Sequence, residues 1–395
     1  MIRLSRAQVN SWRLSKNHLA QRVPRRDMSQ VVSDVCGVQA QVLSGAALSL
    51  WARINSITIQ DVEDALWKHW ILVKTWAMRG TLHLLSSNSL PTYVAALKTR
   101  QDLHHEKISY RIGPGPADKK YQITRTEQEQ VTKAIYDALD RHVLTREELT
   151  SEIVKRTRLR PTLQSHLLSG FGSLLQQAAH EGSLIFGPSH GPKVTFTRPD
   201  QWLGKQSPPS SEQALKTLLR RFYTTYAPAT HQDFAHWWGV PAPEAKNLEQ
   251  LIADELEPIE FDHHPSKMLA SDVDQMQSVD EVHSTRLVPS WDTYVMFYHP
   301  REFFVPQEYR TRIFRQIQGN APVLLVDGIA AGTWEKTKKK AGIEIMVRPF
   351  KALSSAQKLA IEEEAGQLRE FFGTKVQVSF NTYQTKDRER LIQVN

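Results

Sequence analysis

The sequence predicts an α+β fold: repeated modules of three helices and a hairpin, followed by a β-rich C-terminal domain. Three observations carry this. Stretches with helical apolar spacing recur in threes, several of them opened by an N-cap residue. Each trio runs into two short apolar runs joined by a turn-rich tip. From Leu287 onward the texture changes to strand-like runs, with APVLLVDGIAAGTWEKTKKKAGIEIMVRPF the longest of them. A chain of 395 residues suits two or three domains at roughly 150 residues each.

The first round runs from Asp27 to Leu85. MSQVVSDV has helical spacing and stops at Gly37, a C-cap; AALSLWARI and VEDALWKHW follow. ILVKTWAM and TLHLLS then read as strands around a tight Arg79-Gly80 turn. Three helices and a hairpin make the rhythm of a winged helix. TIQDV at 58–62 has the form of a capping box but leads directly into the strands, out of phase, so it is not counted as evidence of a repeat.

The rhythm returns twice. TRTEQEQVTKAIYDALDRH, then TREELTSEIVKRT with its box Thr145-x-x-Glu148, then LLSGFGSLLQQAAHEG supply helices, and SLIFGPSHGPKVTFTR supplies a wing whose tip carries His190 and Lys193. SEQALKTLLRRFYTTY opens the third round. THQDFAHWWGV has Thr230 as N-cap and Asp233 three residues on, APEAKNLEQLIAD is the next helix, and LEPIEFDHH pairs with SKMLASD. Connectors fall at RIGPGPADKK and GKQSPPSSE. The expected domains are residues 1–118, 119–206 and 207–272, each a winged-helix module, and 273–395, the β-rich part with one long helix at 354–372 and a last strand, TKVQVSF.

Composition narrows the function. With 40% hydrophobic and 23% charged residues the chain has the balance of a water-soluble globular protein. A net charge of +8 suits a polyanionic partner. One cysteine, Cys36, excludes an internal disulfide and any site built from several cysteines, and it points to a cytoplasmic location. The first residues lack the apolar core of a signal peptide, and no window reaches the about 20 apolar residues of a membrane span. No P-loop, G-x-S-x-G or dinucleotide fingerprint occurs. The adjacent pairs His104-His105 and His263-His264 lack the spacing of a metal site, so neither a metal nor a cofactor is expected.

A winged helix is foremost a shape for docking on nucleic acid. Basic residues stand at helix ends and hairpin tips, where phosphate contacts are made: Arg22, Arg25 and Arg26; Lys155, Arg156 and Arg158; Lys193 and Arg198; Lys336, Lys338, Lys339 and Lys340. Taken singly, each is better explained by an ordinary solvated face; their coincidence with helix ends and hairpin tips is what brings the phosphate reading level with it. Trp51, Trp67, Trp70, Trp76, Trp237, Trp238, Trp291 and Trp334 include room for a base-stacking wedge, although large rings mostly fill cores.

Gln39 and Gln41, in VCGVQAQ, pose the sharper question. On a helix, residues two apart point about 200° apart, whereas on extended backbone they share a face and two carboxamides can converge. Statistics alone would leave both on the surface. Pattern reading therefore ends at a tandem winged-helix DNA binder.

GVQAQ with LSLWAR, TWAMRGTLHLL, GSLIFGPSHGPKVTFTRPDQWLG, YAPATHQDFAHWWGV, LVPSWDTYVMFYHPREF and VLLVDGIAAGTW, in this order over nearly the whole chain, resemble the tandem winged-helix DNA glycosylases of the AlkZ/YcaQ type. The resemblance implies winged helices arranged as a concave basic cradle, and removal of alkylated bases, including bases tied into interstrand crosslinks. The partner it implies is double-stranded DNA with alkylated or crosslinked purines, with no obligate protein partner. The family's catalytic Gln-x-Gln maps onto Gln39-Ala40-Gln41; the YcaQ-like branch has Gln-x-Asp, and lacking that carboxylate this chain is expected to have a narrower substrate range. His83 and Arg79, on the hairpin, become candidates for support of the motif or of a phosphate.

Amides suit that chemistry. A purine alkylated at N7 or N3 is already cationic and departs from C1′ without a strong acid, so the protein needs only to hold a water and face the developing positive charge. Two other readings stay open: a regulator that binds an operator, and a protein that binds damage without turnover.

Overall fold

The computed structural model describes residues 2–102, 107–111, 120–168, 173–298, 301–315 and 319–381. The chain is α+β, and it divides into two compact units: residues 1–62, 220–237 and 241–395 form one, and residues 63–219 with 238–240 form the other.

The second unit holds the wing in its fullest form. Its helices are Arg125–Ala138, Arg146–Arg156, Pro161–Leu167 and Ser173–His180, and its strands Leu144–Thr145, Ile185–His190 and Lys193–Thr197 make a sheet with the last strand central. The Thr145–Glu148 capping box forms as the sequence predicts, and Thr124 with Glu127 makes a second one. The helix expected over LLSGFGSLLQQAAHEG is present as its two flanks; residues 169–172 lie outside the described residues, as do 112–119 of the first connector. Beside that connector is a hairpin that the sequence reading missed, Lys107–Arg111 against Lys120–Thr124.

The core of this unit gathers aromatic residues. Trp76, from the strand Leu72–Trp76, stacks on Phe196 with centroids 6.1 Å apart and meets Phe186 at 4.9 Å. Around them pack Val131, Ile135, Leu149, Ile153, Leu174 and Leu184, all at most 1% exposed. Trp76 is thus a core residue, not a stacking wedge.

In the first unit, the helix Met28–Asp34 ends in two residues of positive φ, Cys36 at 58° and Gly37 at 90°. Cys36 N–H donates to Ser33 O and Gly37 N–H to Val32 O, so the left-handed cap falls on Cys36, one residue before the expected glycine. The helix Ile59–Trp67 does start at TIQDV. Thr58 and Asp61 bond reciprocally, Thr58 N–H to Asp61 Oδ2 at 2.8 Å and Asp61 N–H to Thr58 Oγ1 at 3.2 Å. The helix begins three residues before the apolar run VEDALWKHW, so the box opens the third helix of the first round and is in phase with it.

The third round appears as Ser211–Tyr226, His231–Trp238, Ala242–Glu249 and the hairpin Leu256–Phe261 with His264–Leu269; Thr230 and Asp233 cap as read. Ile2–Leu4 adds a parallel strand to this hairpin. The C-terminal sheet has five strands in the order Thr285–Val288, Val323–Val326, Ile329–Lys339, Gly342–Pro349 and Val376–Phe380. The expected long helix is two, Ser355–Gly366 and Leu368–Phe372. Among the described residues, no helix is long and apolar enough to cross a membrane.

Candidate DNA glycosylase site

The turn at Cys36 and Gly37 throws the chain out of helix into a short strand, Val38–Gln39, which puts Gln39 on extended backbone and Gln41 in the bend just before the next helix. Gln39 is 7% exposed and Ala40 is fully buried, while Gln41 is exposed and Val42 after it is 61% exposed. The pair therefore runs from an enclosed amide to an open one. The helix Leu43–Trp51 follows at once.

That helix is tied down from below. Arg53, fully buried, makes a two-pronged pair with fully buried Asp292, at 2.7 and 2.8 Å, and Ser49 Oγ donates to the same carboxylate at 2.5 Å. Asp292 also accepts from Tyr294 N–H at 3.0 Å, capping the short helix Thr293–Met296. The sequence reading overlooked this anchor; its signal was the Asp of PSWDTY, an N-cap type just after a strand.

Arg79 and His83 share the hairpin of Leu72–Trp76 and Leu82–Ser86 in the second unit. Arg79 holds φ 56°, a left-handed turn that is uncommon for a side-chain-bearing residue. A Cβ on Gly239 would stand 2.7 Å from Arg79 Cα, so only glycine fits against that turn. His83 is fully buried, and its Nδ1 lies 2.9 Å from Thr81 O. Burial first, and the Arg79 charge second, push its pKa down to about 3. At neutral pH the imidazole is uncharged: it is a poised polar group rather than a general acid.

The basic residues divide. Two of those expected to meet phosphate are spent inside the protein. Arg22, 7% exposed, donates to Glu364 at 2.9 Å and to Trp51 O at 3.0 Å, because buried Glu364 requires a counter-charge. Arg198, 8% exposed, pairs with Asp140 and Asp200 and lies over the Tyr136 ring. Neither is placed to touch DNA. The others reach the surface. Arg25 is paired to Asp61 at 2.7 Å, while Arg26 is 83% exposed. Lys155 and Arg156 fold onto Glu152, one helical turn away, and hold its carboxyl down at about 2. Arg158 is exposed, and Lys193 lies 3.7 Å from Glu147.

The lysine hairpin is different in kind. Residues 335–340 are all exposed, and beyond Trp334 the strand Ile329–Lys339 is paired, among the described residues, only on its Gly342–Pro349 side. Lys336 sits 4.8 Å over Phe372 and Lys339 3.1 Å from Glu344; Lys338 and Lys340 point out from the tip.

The family model "DNA glycosylase AlkZ-like" matches residues 32–371, a span that includes the Gln-x-Gln segment, the hairpins of all three rounds and the lysine hairpin. A Streptomyces sahachiroi protein described as an interstrand DNA cross-link repair glycosylase is 29% identical over 367 residues, which cover 91% of this chain and 95% of the relative. The solved structure of Streptomyces sahachiroi DNA glycosylase AlkZ is similar with a TM-score of 0.81 at 27% identity, over 97% of this chain and all of that one. On that match, and with the motif segment inside it, the chain belongs to the AlkZ-like DNA glycosylase family.

Proposed function

We propose that this glycosylase hydrolyses the N-glycosidic bond of N7- or N3-alkylated, cationic purines in double-stranded DNA, including purines tied into interstrand crosslinks, with Gln39 and Gln41 directing water to C1′. The observation that carries the reading is the placing of two amides two residues apart between a short strand and the motif helix, Gln39 enclosed and Gln41 open, inside the span matched by the family model.

The chemistry needs little more. As the C1′–N bond breaks, its electron pair passes to the base and cancels the alkyl-induced positive charge. The water oxygen bonds to C1′, its proton passes to solvent, and an abasic sugar and a neutral base remain. An amide oxygen accepts from that water and faces the sugar cation; an amide NH₂ fixes the orientation. A neutral amide is a poor base, so the reaction is confined to bases that leave easily. No amine nucleophile is required, and the enzyme is monofunctional in this scheme. Arg26, Arg158, Lys193, Lys338 and Lys340 are the proposed phosphate contacts.

The similarity to a relative described as a crosslink-repair glycosylase supports the bulky end of the substrate range. The test is release of free base from 7-methylguanine DNA and from mustard-crosslinked DNA. Free base in both supports the full proposal, and free base from methylated DNA alone limits it to monoadducts. Tight binding without free base would make the protein a damage binder or regulator.

A further inference from the structure

Most tryptophans here are core residues: Trp12, Trp51, Trp237, Trp238 and Trp334 are at most 2% exposed. Trp291 is not. It is partly exposed and holds φ 66°, a region that a bulky side chain rarely occupies. Three ties keep it there. Its N–H donates to Oδ1 of buried Asn320 at 2.8 Å, and the next residue is the Asp292 anchor. Gly319, itself at φ 72°, packs against the indole, where any Cβ would overlap the six-membered ring. Strain this heavily supported is characteristic of functional positions.

Its location completes the case. Ser290 O is 4.0 Å from the place of a Cβ on Gly45, in the first turn of the helix that follows the motif. Gly45 is four residues past Gln41, a span of at most about 14 Å of chain. Between them Val42 exposes an apolar side chain at 61%. The peptide that carries a strained, partly open indole thus meets the first turn of the motif helix, and an uncovered valine stands next to the open amide.

We propose that Trp291, with Val42 adding apolar surface at the open end of the motif, is the platform on which the lesion base rests, and that its indole face selects the cationic purine over a neutral one. The inference builds on the glycosylase reading above and adds the group that recognises the charge. A ring alkylated at N7 carries positive charge across its face, and the indole π-surface is negative, so stacking and charge attraction act together.

The experiment compares binding to two duplexes. One carries 7-methylguanine on a 2′-fluoro sugar that resists cleavage, and the other 7-methyl-7-deazaguanine, the neutral isostere. The wild type is expected to prefer the charged base about tenfold. Trp291→Leu brings the ratio close to one, Trp291→Phe keeps part of it, and Gly319→Ala, which displaces the ring without removing it, behaves like the leucine variant. Thermal melting of each variant confirms folding. A wild-type ratio of one, or a folded Trp291→Leu that keeps the full preference, overturns the platform. If the wild type still releases 7-methylguanine in either case, the glycosylase reading stands without it; if the ratio holds but no base is released, that reading fails instead.

Discussion

The ground beneath the motif helix and the lysine hairpin use positive charge in opposite ways. Under the helix, Arg53 is fully buried and Arg22 nearly so, each matched by a buried carboxylate, Asp292 and Glu364. In the hairpin, residues 335–340 run outward with their side chains in solvent. The interior cations hold a segment in place; the exterior ones are available to a polyanion. The same residue type serves either end, and the partner decides which.

Removing a charge from each region separates the two uses. The largest effect is expected from Asp292→Ala, which strands the Arg53 guanidinium in the core and costs about 3–5 kcal/mol in urea unfolding. Arg22→Ala leaves Glu364 buried beside Arg286 at 3.6 Å, so a smaller loss, about 2–3 kcal/mol, is expected, with the salt dependence of DNA binding unchanged. A changed salt slope for that variant would mean that Arg22 reaches DNA after all.

A third buried base responds to pH. His83 has a folded pKa near 3 against an unfolded value near 6.5, so the unfolded chain takes up the proton first. Its contribution to stability is intact above about pH 6.5 and is lost as pH falls toward 3, by up to about 1.4 kcal/mol per pH unit. Unfolding measured from pH 7 to pH 5 should show this slope in the wild type and less of it in His83→Gln. An equal slope in both would show that His83 is not the titrating group.

The smallest effect on stability belongs to the hairpin. Lys338→Gln with Lys340→Gln is expected to change unfolding by less than about 0.5 kcal/mol. The slope of log affinity against log salt should nonetheless flatten by about 1.8, for two lost phosphate contacts. An unaltered slope would remove these lysines from the interface.

The contrast also shows what the sequence discloses. The caps at Thr145 and Thr230 and the wing at Ile185–Thr197 were legible because their partners are three residues away or across a short turn. The lysine hairpin was legible for the same reason: a run of like charge at a two-residue turn has nowhere to bury itself. Arg22 was not, because its carboxylate lies 342 residues on, and nothing in RVPRR separates a guanidinium bound for the core from one bound for solvent. The Thr58–Asp61 cap was visible but set aside as out of phase. For the site, the end of the helix ahead of the pair was legible from Gly37; the role of the pair came only from resemblance, since amides are common surface groups. The strained turn at Trp291 depends on Gly319 and Asn320, about thirty residues away, and local patterns carry no trace of it.

The most direct test of the central claim is single-turnover release of 7-methylguanine by Gln39→Ala with Gln41→Ala, beside a melting curve and a DNA-binding isotherm. The account predicts a rate lower by at least about 10²–10³-fold, with folding and affinity for undamaged duplex kept. Release at the wild-type rate from the folded double variant would contradict it.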